Sequence, residues 1–115
     1  MTSVVSLELV LDEAADAEIR REWTLLDEAA LPSQAQHTGA SNRPHITLLV
    51  RTSLGDLATE PLEDRLPLDV TLGAPVLFGT GRTRVLARSV VPRADLLALH
   101  ADVHALAGAG DDVPH

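Results

Sequence analysis

Between Leu11 and Ala15 the apolar residues of this chain change period. Val5, Leu7, Leu9 and Leu11 occupy alternate positions, whereas Ala15, Ile19, Trp23, Leu26 and Ala30 recur at helical spacing. Alternation buries one face of a strand, and the wider spacing buries one stripe of a helix, so the chain opens as a strand followed by a helix running to about Ala30. Asp12 stands at the junction as an N-cap, with Glu13 and Asp16 adding negative charge where the helix dipole favours it. The opposite helix face, with Glu18, Glu22, Asp27 and Glu28, reads as a solvated acidic surface.

The same reasoning extends along the chain. Leu31 to Pro44 is polar, carries Gly39, and reads as a loop. Pro44 biases Arg43 towards extended backbone and introduces a strand over His45–Val50. A short helix is expected between Leu54 and Leu66, split or restarted by Pro61. Leu68–Leu72 and Val76–Phe78 read as strand material broken by Gly73 and Pro75. Gly79-Thr80-Gly81 then turns into a strand from Arg82 to Val91, which makes a hairpin. Pro92 suits the first turn of a last helix, Arg93 to about Ala107, which the Gly108-Ala109-Gly110 tract ends. The order β-α-β-α-β-β-α defines an α+β domain spanning residues 1–115. No strand follows the last helix, so the chain reads as incomplete at its C-terminus, and an unclosed sheet would offer an edge for self-association.

Composition removes several function classes. The absence of Cys excludes a disulfide scaffold and any thiolate metal site. No apolar run approaches the ~20 residues that cross a bilayer, and the start lacks the basic region of a secretory signal, so a cytoplasmic location without membrane contact is expected. A net charge of −8 opposes a broad nucleic-acid footprint, and Trp23 and Phe78 are too few for a base-stacking platform.

The strongest local signal is Arg43-Pro44-His45-Ile46-Thr47-Leu48-Leu49. On a strand, His45 and Thr47 point to one side while Ile46, Leu48 and Val50 point to the other and can face a core. An imidazole beside a hydroxyl suits a phosphate: one moves a proton near neutral pH, the other hydrogen-bonds a phosphoryl oxygen. Taken alone, His-x-Thr more often describes a half-buried histidine beside a β-favouring threonine, and it is the context that points to function.

Placed after a strand and an acidic amphipathic helix, Pro44-His45-Ile46-Thr47-Leu48 resembles the first signature of the 2H phosphoesterase superfamily, most closely its bacterial 2′-5′ RNA ligase (LigT-like) branch. The resemblance extends over most of the chain as element order and rests on this one motif as residue identity. It implies a LigT-like fold, an antiparallel sheet with flanking helices. It also implies hydrolysis of a 2′,3′-cyclic phosphodiester, at an RNA end or on a small cyclic nucleotide, or the reverse 2′-5′ ligation. Two His-x-Thr/Ser motifs facing each other would supply general base and general acid, with no metal and no cofactor. His45 and Thr47 take the first motif as catalytic residues, and Arg43 is the arginine placed nearest a bound phosphate.

The second motif is absent: no later His is followed two residues on by Thr or Ser. Pro114-His115 is where another Pro-His-x-Thr would begin, which makes His115 a second candidate for substrate binding. A single motif leaves an alternative of another class, a non-catalytic phosphate-binding or interaction module. Three further features have blander readings beside functional ones. His100 and His104 share a helix face and read as surface imidazoles before a metal pair, because the Glu of a zincin motif is replaced by Ala101. His37 reads as a loop residue. Arg82, Arg84 and Arg88 read as a solvated strand face before a phosphate-steering strip.

Overall fold

The computed structural model describes residues 4–31, 42–80 and 83–113. The elements are β1 (Val5–Val10), α1 (Glu13–Glu28), β2 (His45–Arg51), α2 (Glu60–Glu63), β3 (Leu72–Thr80), β4 (Thr83–Val90) and α3 (Ala94–Ala107). The class is α+β, in the expected element order. The strands form two small antiparallel sheets, β1 with β2 and β3 with β4, where one sheet was expected. The chain divides into two compact units, one of Met1–Leu9, Ile46–Thr71 and Val91–His115, the other of Val10–His45 and Leu72–Val90.

In the first unit the core is Leu48, Leu49, Leu99 and Val103, with Leu7, Leu9, Leu54, Leu62, Leu68 and Ala107 packed against it. Leu48 and Leu49 are neighbours on a strand and point to opposite sides, yet both are buried. From Leu48 to Arg51 β2 is covered on both faces, as an unbroken apolar run requires. The polar side expected for His45 and Thr47 therefore continues into buried Leu49 and Arg51. Val5, expected in the core, is exposed because its end of β1 lies beyond the packed leucines.

Arg51 is 4% exposed, the buried charge of this unit. Its guanidinium donates from Nε to Asp112 Oδ1 (2.9 Å), from Nη1 to the Ala107 carbonyl (3.2 Å) and from Nη2 to the Gly108 carbonyl (2.6 Å). Two of these acceptors lie at the end of α3, where carbonyls have no helical partner and carry the negative end of the dipole. Gly108 caps the helix at φ 71°, a conformation that favours glycine. Gly110 has a different reason to be glycine, since a Cβ there would come within 2.7 Å of Nη1. The chain then reaches β2: Arg51 and Asp112 form an antiparallel bridge, and the Val113 N–H donates to the Val50 carbonyl at 2.9 Å.

This closure explains why β2 joins no larger sheet. Backbone groups of alternate residues point to one edge of a strand, so the Leu48 and Val50 carbonyls share an edge. His104 Nε2 donates to the first at 2.9 Å, and Val113 occupies the second. Helix α3 and its tail cover the edge that another strand would need.

In the second unit, the Asp12 carboxylate accepts from the Ala15 N–H at 2.8 Å and caps α1 as expected. The helix stops at Glu28 because Ala30 turns left-handed at φ 59°. The Leu31 N–H then reaches the Leu26 carbonyl, and the Ala30 N–H that of Asp27, the pairing of a Schellman ending. Strand β3 passes through Gly73 and Pro75 without the expected break. Leu72 pairs with Val90 and Pro75 with Arg88, so three steps on β3 oppose two on β4. That extra residue is a bulge, where a proline with no N–H to donate is tolerated. Arg88 Nε donates to the Gly73 carbonyl at 2.8 Å, and its Nη1 reaches Glu22 Oε1 on α1 at 2.7 Å. Pro92 was expected inside the last helix but precedes its N-cap, Arg93. Residues Leu68–Thr71 lie outside the strands because Leu68 packs on the core of the first unit.

Two stability measurements follow. Arg51→Met should lower unfolding free energy by about 3 kcal/mol, because the Ala107 and Gly108 carbonyls and the Asp112 carboxylate together lose a charged donor. Asp112→Asn should cost less than about 1 kcal/mol, since that carboxylate is 58% exposed and screened by water. Urea midpoints at unchanged slope would check both. Ala30→Gly should add about 1 kcal/mol by relieving the left-handed residue; an unchanged or lower midpoint would refute that.

Candidate functional site

The site begins with Pro44. Its ring fixes φ and restricts the residue before it, and the side chain is buried, so the approach to β2 is held rigidly. This bend brings the Arg43 carbonyl to 2.7 Å from His45 Nδ1. A carbonyl can only accept, so Nδ1 carries the proton, and the basic lone pair of the neutral ring lies on Nε2. The imidazole is exposed, and its orientation is set by backbone two residues away.

Thr47 follows two positions along β2 and is half-buried, with a hydroxyl able to donate to an anionic oxygen. Arg43 is exposed, and its backbone orients His45. Together these residues offer a base, a hydroxyl donor and a cation within five consecutive positions at the start of one strand. That set suits a phosphoryl group.

The remaining candidates distribute differently. His37, His115 and Arg82 lie outside the described residues, as does the side chain of Arg84. Arg88 joins the hairpin to α1 through Glu22, which uses the cation in a structural pair instead of a phosphate-steering strip. His100 and His104 face each other on α3 with ring centroids 4.5 Å apart, and His104 is not the plain surface imidazole expected, since it donates to Leu48. Among the described residues no group of three or more His, Asp or Glu is placed to hold a metal ion. No helix among them is long and apolar enough to cross a membrane.

Sequence reasoning passed over Arg51 and the orienting role of the Arg43 carbonyl. A signal for the first existed: an arginine closing a run of three apolar residues must bury its stem, and its charge then needs carbonyls or a carboxylate. Nothing in residue types alone marks a backbone carbonyl as a histidine's partner. Comparison with protein-family models, with curated proteins and with solved structures finds no match to this chain.

Proposed function

We propose that this chain handles phosphoesters through His45 and Thr47 in the manner of a 2H phosphoesterase, on a LigT-like fold. The substrate class is a 2′,3′-cyclic phosphodiester, on a small nucleotide or at an RNA end. The observation that carries the reading is the hydrogen bond from His45 Nδ1 to the Arg43 carbonyl, which directs the ring's basic nitrogen away from its own backbone partner. In the reaction, His45 Nε2 accepts a proton from water as the oxygen attacks phosphorus. The new P–O bond forms while the bond to one ribose oxygen breaks, and that oxygen takes a proton from a second imidazolium. The Thr47 hydroxyl donates to a non-bridging oxygen, and Arg43 offsets its charge. The acid and base are both imidazoles, so the chemistry calls for no cofactor.

The presence of only one His-x-Thr in the sequence favours a second reading, a module that binds the same phosphate without turnover. One histidine serves one end of the displacement. The second imidazole would have to come from elsewhere in the chain or from another copy.

The test is hydrolysis of a 2′,3′-cyclic nucleotide in EDTA by the wild type and by His45→Ala. The enzyme reading predicts chelator-resistant turnover that falls by about 10²–10⁴-fold in the variant, the usual contribution of a general base. Saturable binding of the product mononucleotide without turnover would select the binding module. Neither turnover nor binding would remove both.

A further inference from the structure

We infer that His100 and His104 form a two-imidazole site on α3 for a borderline divalent transition ion of the Zn²⁺, Ni²⁺ and Cu²⁺ class. Its first support is the partner of His104. Nε2 donates to the Leu48 carbonyl at 2.9 Å, so the proton of the neutral ring is on Nε2 and the lone pair on Nδ1. Metal-binding histidines are commonly held this way, with the non-ligating nitrogen donating to a carbonyl or carboxylate that fixes tautomer and ring plane. His100 lies one turn earlier on the same face and is exposed, so an ion has access from solvent.

The second support is the ring separation. With a metal–nitrogen bond of ~2.0–2.1 Å, an imidazole centroid lies about 3.2 Å from the ion, and two such rings at 90–110° stand about 4.5–5.2 Å apart. The observed separation is 4.5 Å, at the lower bound of that range, with the planes tilted by 38°. The helix itself supplies no third ligand: Leu96 and Gly108 occupy the positions one turn either side, and Asp102 is paired with Arg65. With no group of three ligands among the described residues, water completes the coordination. Imidazole nitrogen selects against Mg²⁺ and Ca²⁺, which take oxygen ligands. Because His104 also holds β2, an ion on this pair is coupled to the seam between α3 and β2.

This site is independent of the phosphoester reading, and its test reads binding. Isothermal titration with Zn²⁺ and Ni²⁺, and with Mg²⁺ as a hard-ion comparison, would be run on the wild type, His100→Ala and His100→Gln. Both substitutions fall at an exposed helix position where good helix formers are tolerated, and far-UV circular dichroism would verify folding. One Zn²⁺ or Ni²⁺ per chain is expected, with no Mg²⁺ uptake, and affinity should drop at least about tenfold in both variants. Zn²⁺ should also raise the thermal midpoint of the wild type and not of the variants. No uptake by the wild type at millimolar ion would overturn the site. So would equal affinity in the variants, which would assign the ion to His37, His45 or His115.

Discussion

The Arg51 guanidinium sits where β2, the end of α3 and the returning tail meet, and it bonds to the latter two from a position on the first. A buried cation is costly unless its donors are met, and here the acceptors include carbonyls at the end of α3 that have no partner within the helix. Each side satisfies the other's deficit. Gly108 lets the helix end in the required direction, and Gly110 leaves room for the guanidinium. With the tail fixed, Val113 can occupy the Val50 carbonyl, while His104 occupies that of Leu48. The strand that carries the candidate site is thereby anchored at its far end by packing and at one edge by hydrogen bonds.

That anchoring gives β2 a gradient along its length. Its last four residues are buried on both faces, whereas His45 at its start is exposed and Thr47 half-buried. A reactive side chain needs both properties: a rigid support and access to solvent. Pro44 and the Arg43 carbonyl supply the local part of this rigidity by fixing the ring itself. The His45 ring thus depends on short-range backbone geometry for its orientation, and the buried part of β2 on long-range packing.

Much of this was legible from spacing. The period change around Asp12, the N-cap itself, the hairpin and the Gly108 stop all correspond to local rules, and local rules act through neighbours in sequence. The discrepancies arise where a distant residue decides. Pro75 resides within a strand because β4 accommodates a bulge, and Arg88 turns to Gly73 and Glu22 instead of solvent. The free edge of β2 is covered by a helix fifty-odd residues away, which no pattern within β2 reveals. At the site, the strand that holds His45 and Thr47 was legible from Pro44 and the apolar run after it. Which ring nitrogen is basic was not, because a backbone carbonyl decides it.

The most direct test is a long-range proton–nitrogen NMR spectrum of the histidine rings, recorded as a 3′-mononucleotide is added. The account predicts that neutral His45 carries its proton on Nδ1, and that its Nε2 resonance and the Thr47 amide shift together and saturate. A His45 protonated on Nε2 in the neutral form, or nucleotide-induced shifts that bypass Arg43–Thr47, would contradict the claim that the start of β2 presents an oriented base to a phosphoryl group.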